Sequence, residues 1–371
     1  MKEKVQARIK KVFQNIDSTG VPESLFIYNR DNVDHNFLYV TGLNWGVFEN
    51  CGVLCDTDGG MKVFSTTLEE EILRGVGKYA EIIVYRNEKE RNEQLKEALS
   101  KYRSIGISFG SISHSFYINL CDLIDGTELI DVGGAFRKSR MIKSEEEIAL
   151  IRRACNIASA VADEFPRYLE ENITERDLAN EVDYRMRKLG ARGPAFETIV
   201  AFSPNNSKPH YSGSDVPLKG GDAILLDFGA DYEGYVSDIT RTYLTSNTEG
   251  TLMSCYETVL EAQRIALNLI GDGMSTEQVE KEVKSYIDSN ERFKNRFIHG
   301  LGHSIGLSVH DNSYPGPDFN KTFRANMVLT VEPGIYIPGE YGVRIEDDVL
   351  VTADSCEVLT TAQKEPRVYE I

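Results

Sequence analysis

Ile224-Leu-Leu-Asp227-Phe-Gly-Ala-Asp-Tyr-Glu-Gly-Tyr235-Val-Ser-Asp238-Ile-Thr-Arg241 carries an acid at the end of an apolar run, a turn, and a second acid on the return. Asp231-Tyr-Glu-Gly234 is the turn signal, and a hairpin folded there brings Asp227 and Asp238 to one end. A second stretch repeats the device: Val328-Leu-Thr-Val331 runs into Glu332, and Pro338-Gly339-Glu340 turns the chain back toward Arg344-Ile-Glu346-Asp. Two hairpins with two acids each would make a four-carboxylate bowl. A buried ionised carboxylate is costly unless a cation meets it. A dinuclear metal site needs several anionic oxygens, some shared by both ions, and room for an attacking hydroxide.

Between the hairpins lies His299-Gly-Leu-Gly-His303. The spacing of the two histidines suits a helical zinc site, but Gly300 and Gly302 disfavour helix and no glutamate follows His299. His303 is therefore read as the ligand and His299 as a hydrogen-bonding support. His210 and His310 complete the histidines of this region, while His35 and His114 have no acidic company.

Outward from the hairpins, the chain repeats a plan. Ser144 and Glu147 form a capping box ahead of a helix burying Ile148, Ile151, Cys155, Ala158, Ala162 and Phe165. Thr174 starts another, with Leu178, Val182, Met186 and Leu189 inward, and Gly190 stops it. A helix over about 251–270 and one capped by Ser275 and Gln278, carrying Val279, Val283 and Ile287, follow in the same order. Thr174 precedes Asp227 by 53 residues and Ser275 precedes Glu332 by 57; His210 and His310 lie 36 and 35 residues after the same two caps. This order predicts an internal duplication with the site between its halves.

The first 135 residues read as a separate α/β domain. Leu25-Phe-Ile-Tyr28, Phe37-Leu-Tyr-Val40, Gly52-Val-Leu-Cys55, Ile82-Ile-Val-Tyr85 and Ile105-Gly-Ile-Ser108 are expected strands, and 67–75 and 90–102 expected helices. The domain holds no phosphate loop and no ligand cluster, so its expected role is substrate fencing or oligomer contact. Residues 136–371 form the catalytic domain.

Composition sets bounds for the 371 residues: 41% hydrophobic and 27% charged suit a two-domain soluble enzyme. A formal charge of −17 with no offsetting basic stretch argues against nucleic acid. No apolar run approaches a membrane span, and the first residues lack the apolar core of a signal peptide, so the cytoplasm is expected. Six scattered cysteines are expected to be reduced packing residues.

The run His299-Gly-Leu-Gly-His-Ser-Ile-Gly-Leu-Ser-Val-His310-Asp resembles the signature of the pita-bread metallopeptidases, the Xaa-Pro aminopeptidase and Xaa-Pro dipeptidase (prolidase) group. Pro209-His210, Asp227-Phe-Gly, Tyr235-Val-Ser-Asp238-Ile-Thr-Arg-Thr, Val331-Glu332-Pro-Gly and Gly342-Val-Arg344-Ile-Glu346-Asp agree with it. Residues 1–135, with Tyr39-Val-Thr-Gly42, resemble that family's creatinase-type N-terminal domain. The resemblance implies an α+β chain whose C-terminal pita-bread fold has a pseudo-twofold duplication. It implies a dinuclear metal-dependent exopeptidase that hydrolyses the Xaa-Pro bond at the N-terminus of peptides or in dipeptides, as a homodimer.

The same resemblance implies that Asp227, Asp238, His303, Glu332 and Glu346 hold two divalent ions, with Asp238 and Glu346 bridging. Mostly oxygen ligands favour Mn2+ or Co2+ over Zn2+. Glu332 would move the water's proton, His310 would stabilise the oxyanion, and His210 would orient the residue after the cut and shuttle protons. Tyr235, Thr240 and Arg344 would support the bridging carboxylates.

Two features loosen the match. Dipeptide-specific members often carry an arginine just after the second signature histidine, and His310-Asp-Asn-Ser-Tyr-Pro-Gly316 has no basic residue. Trp45 lies in a loop of the kind that enters a neighbouring subunit's site, though packing is its expected role. The alternatives are a creatinase-like hydrolase working without metal and a non-catalytic binding scaffold of the same fold. Neither needs all five ligand positions filled. Methionine aminopeptidase shares the ligands but usually lacks the leading domain.

Overall fold

The computed structural model describes residues 1–17, 20–44, 46–247, 250–314 and 321–371. Trp45 lies outside them. The chain divides into two compact units, Met1–Arg140 and Met141–Ile371.

In the first unit a six-stranded mixed sheet runs in the order Glu81–Tyr85, Met61–Thr66, Cys51–Asp56, Ser24–Asn29, Ser104–Ile107, Glu128–Asp131. Ser24–Asn29 and Cys51–Asp56, both buried along nearly their whole length, form its antiparallel centre. Four of the five expected strands lie here; the fifth does not. Phe37-Leu-Tyr-Val40 is part of the helix His35–Thr41. Its composition favours a strand, but Asp34 accepts a hydrogen bond from the Asn36 amide and Gly42, at φ 70°, closes the other end. Two end signals and burial of Asn36–Thr41 outweigh weak β-propensity. The unit closes on the helix Gly133–Met141, which places the division later than residue 135.

The second unit shows the two halves that the spacing predicts. In the first half, Ser144 and Glu147 form the capping box of helix Glu145–Glu164, and Thr174 caps Glu175–Lys188. The apolar stripes of both helices are buried, except that Leu189 is the C-cap and is exposed. These helices pack on a four-stranded sheet ordered Val368–Tyr369, Ile239–Thr245, Ala223–Phe228, Ile199–Phe202. In the second half, Gly250–Leu269 and Thr276–Asp288 pack on a five-stranded sheet ordered Asn312–Ser313, His303–Ser304, Val328–Val331, Asp347–Val351, Cys356–Val358. The architecture is the α+β pita-bread arrangement.

The halves are stitched along one seam. The Glu346 amide donates to the Thr240 carbonyl (3.1 Å), and the Arg344 amide donates to Thr242 Oγ1 (3.3 Å). Arg241, almost fully buried, donates to the Glu346 carbonyl (2.6 Å) and pairs with Asp347 (2.7 Å), which Lys364 also contacts. A charge this deep is tolerated because it is paired and its remaining N–H groups reach carbonyls. All six cysteines are unpaired. Among the described residues, no helix is long and apolar enough to cross a membrane.

Candidate metal centre

Strand alternation puts the acids on one face. Ile224, Leu226 and Phe228 point into the first half's core, so Asp227 faces the other way. Thr240 sits directly across the ladder from Asp227, and Ile239 and Tyr243 take the core side of that strand. In the second half Leu329 and Val331 fill the core, leaving Thr330 and Glu332 opposite; Val343 and Ile345 do the same for Arg344 and Glu346. The first hairpin turns at Glu233 and Gly234, both at positive φ. Gly229 lets the return strand come close, since a Cβ there would lie 1.9 Å from the Ser237 carbonyl oxygen.

Asp227, Asp238, His303, Glu332 and Glu346 thereby line one open cavity of about 1080 Å³, with His210, His299, His310 and Arg344 in its walls. Asp238, His303 and Glu346 each offer a ligand atom within 4.8 Å of the others. His303 Nε2 lies 3.6 Å from Asp238 Oδ2 and 3.5 Å from Glu332 Oε1. The His310 ring centroid is 4.2 Å from that of His303.

A scaffold of hydrogen bonds aims these groups. Thr240 Oγ1 donates to Glu346 Oε2 (2.6 Å) and accepts from Arg344 Nε (2.9 Å). The same guanidinium donates to Asp227 Oδ2 and, at 2.8 Å, to the Tyr336 hydroxyl. Tyr336 lies 3.0 Å from His299 Nε2, and His299 Nδ1 lies 2.9 Å from the Gly300 carbonyl. A carbonyl only accepts, so Nδ1 carries the proton and Nε2 accepts from Tyr336. His299 is thus the hydrogen-bonding support expected of it. Thr330 Oγ1 donates to Glu332 Oε1 at 3.3 Å and accepts from the His303 amide at 3.0 Å.

Tyr235 lies on the return strand of the first hairpin. Its hydroxyl donates to Glu147 Oε1 (3.0 Å), tying the first hairpin to helix Glu145–Glu164. Thr240 and Arg344 support the bowl, together with three residues that the motifs did not single out: Tyr336, Thr330 and Asp348. Asp348 accepts from the Asp238 amide (2.8 Å) and from Cys155 Sγ (3.3 Å). Its one visible signal is its place as an acid directly before the apolar run Val349-Leu-Val351.

The charge balance is unfavourable for the protein alone. Burial, then the neighbouring Glu346, Asp227, Asp348 and Glu332, raises Asp238 well above the carboxylate range. Burial with Glu332 and Asp227 does the same to Glu346. Glu332 is pushed up to about 7 by burial, against the pull of Arg344. Burial, with His310 beside it, lowers His303 to about 4, so it is a neutral imidazole able to ligate. Among the described residues, Asp227 Oδ1 and Asp238 Oδ1 are buried without a hydrogen-bond partner. Orphaned anionic oxygens facing a neutral imidazole fit divalent cations, which would satisfy the oxygens and reverse the repulsion.

Replacing Thr240 by Val keeps the shape and removes the hydroxyl between Arg344 and Glu346. Affinity for Mn2+ is expected to fall by about 10- to 100-fold, as for other residues that orient metal ligands. Calorimetric titration checks this; unchanged affinity would show that the hydroxyl does not orient Glu346.

An acid-rich floor with one imidazole, under an open cavity and between duplicated halves, defines a metal-dependent hydrolase. Residues 149–353 match the sequence profile of Metallopeptidase family M24, and residues 8–142 match the Creatinase/Prolidase N-terminal domain. The chain belongs to metallopeptidase family M24. It is 34% identical over 273 residues to a Xaa-Pro dipeptidase of Pyrococcus furiosus, covering 74% of this chain and 78% of that one. Its structure is similar to the Xaa-Pro dipeptidase from Bacillus anthracis, with a TM-score of 0.87, 31% identity, and coverage of 98% and 99%. It is also similar to an X-Pro aminopeptidase from Thermotoga maritima, with a TM-score of 0.83, 28% identity, and coverage of 94% and 98%.

Proposed function

We propose that this chain is a dinuclear metallo-exopeptidase that hydrolyses the bond between an N-terminal residue and a following proline. The observation that carries the reading is the cluster of four carboxylates and one imidazole lining one cavity, with buried oxygens of Asp227 and Asp238 that have no hydrogen-bond partner among the described residues. Asp227, Asp238, His303, Glu332 and Glu346 would hold two divalent ions. One nitrogen among many oxygens supports Mn2+ or Co2+ over Zn2+. When bound, such ions lower the pKa of water and polarise the scissile carbonyl.

The protein's own groups supply the rest. Glu332, on the cavity wall beside His303, takes a proton from attacking water and returns it. His310 stands on the cavity wall beside His303 and stabilises the oxygen that becomes negative. His210, on the same wall, orients the residue after the cut and protonates its nitrogen. Proline's nitrogen has no hydrogen of its own, so it must gain one as it leaves. Phe196, Ile199 and Ile298 give the cavity apolar walls suited to a proline ring.

Six unpaired thiols support a reducing, cytoplasmic setting. The resemblance supports a homodimer in which residues 1–135 fence the substrate or make the oligomer contact, and residues 136–371 do the chemistry. Chelation is expected to abolish hydrolysis of Ala-Pro, and Mn2+ or Co2+ to restore it. Turnover persisting in chelator would favour the metal-independent alternative; none with any divalent ion would favour the scaffold.

A further inference from the structure

One part of the cavity wall carries a lysine. Among the described residues lining the cavity, the only lysine or arginine side chains are those of Arg344 and Lys208. Arg344 is committed to Asp227, Thr240 and Tyr336. Lys208 is exposed, and among the described residues no carboxylate lies within ion-pairing distance of it. Its ammonium donates to Asn205 Oδ1 (3.0 Å) and lies 5.2 Å from the Tyr211 ring centroid, so further N–H donors remain for a ligand.

Lys208 also sits on an organised loop. Glu175, fully buried in the first turn of helix Glu175–Lys188, accepts from the Phe202 amide (2.8 Å) and Asn205 Nδ2 (3.2 Å). It accepts from the Tyr211 hydroxyl (2.8 Å) and from the amide and hydroxyl of Ser214 (both 3.1 Å). Asn205 and Tyr211, the two groups that steady Lys208, are therefore fixed to one buried carboxylate. Pro209 and His210 follow Lys208 directly on the same cavity wall.

We propose that Lys208 binds the free C-terminal carboxylate of the residue after the cut bond, so that the enzyme prefers dipeptides. This rests on the Xaa-Pro reading above and adds its length specificity. In a dipeptide that carboxylate belongs to the residue His210 orients, which puts it beside Lys208. In a longer peptide the same position is a neutral amide, and the true terminus lies beyond reach. An ammonium–carboxylate contact on the cavity wall discriminates charged from neutral ligand.

The test compares Ala-Pro, Ala-Pro-amide and Ala-Pro-Ala with the Mn2+-loaded enzyme. Wild type is expected to favour Ala-Pro over its amide by about tenfold to a hundredfold in kcat/KM. Lys208→Gln should bring that ratio close to one, mainly through a higher KM for the dipeptide, and Lys208→Arg should keep most of it. Calorimetry with proline and prolinamide should show the same Lys208-dependent preference without turnover. A wild-type ratio near one, or a ratio that Lys208→Gln leaves intact, overturns the assignment. Failure of the wild type to cleave any of the three defeats the Xaa-Pro reading itself, and this assignment with it.

Discussion

Asp238→Asn is expected to lose bound metal and activity together, with kcat/KM for Ala-Pro falling by about a thousandfold or more. Paired ions supply several kcal/mol of transition-state stabilisation, and each 1.36 kcal/mol is worth about tenfold. Asp238 has a buried oxygen without a partner and lies next to both Glu346 and His303. A neutral amide cannot share charge between two cations as a carboxylate does. The substitution should not unfold the protein, because a neutral amide suits a position where burial and the neighbouring Glu346, Asp227, Asp348 and Glu332 already disfavour a charged carboxylate. The backbone bond from residue 238 to Asp348 survives the change. The metal-free variant should therefore melt no lower than the metal-free wild type. Metal content by plasma emission, activity and a melting curve check the three claims. Two ions bound at full activity would remove Asp238 from the ligand set.

Much of this site is legible in the sequence because its cause is local. An acid closing an apolar strand stays visible whatever surrounds it, and Asp227 and Glu332 have that form. Capping boxes at Ser144 and Thr174 announce their helices, since the capping side chain and its partner are three residues apart. What stayed hidden depends on partners distant in the chain. Glu175 reads as an ordinary first-turn acid favoured by the helix dipole, yet it anchors the Asn205–Ser214 loop through contacts as far as Ser214. Tyr235 lies within a motif, but its hydroxyl reaches Glu147, 88 residues away. The helix at His35–Thr41 escaped because strand propensity spoke louder in the composition than Asp34 and Gly42 at its ends.

Removing the metal should make stability fall with pH above about 6.5. In the metal-free fold Glu332 holds its proton to about 7, and burial beside the other acids also raises Asp238 and Glu346 well above the carboxylate range; the same groups ionise near 4 when unfolded. Over that range the folded chain binds more protons than the unfolded one, so stability declines as pH rises. His299 and His303 act in the opposite direction. Burial lowers both to about 4, so they favour the fold increasingly as pH rises from there to their ordinary 6.5, and then add nothing more. The two trends offset one another below about 6.5, and above it only the carboxylates remain. Divalent ions displace those protons, so their stabilisation should grow across the same range. At about a hundredfold excess over Kd the gain is roughly 2.7 kcal/mol, or about 5–10 °C in Tm for a domain of this size. Thermal melts of chelated and Mn2+-loaded protein at pH 6.5, 7.5 and 8.5 provide the measurement. A metal-free Tm that rises with pH, or a Mn2+ increment that does not, would mean that the acids of the bowl are not crowded in the folded chain.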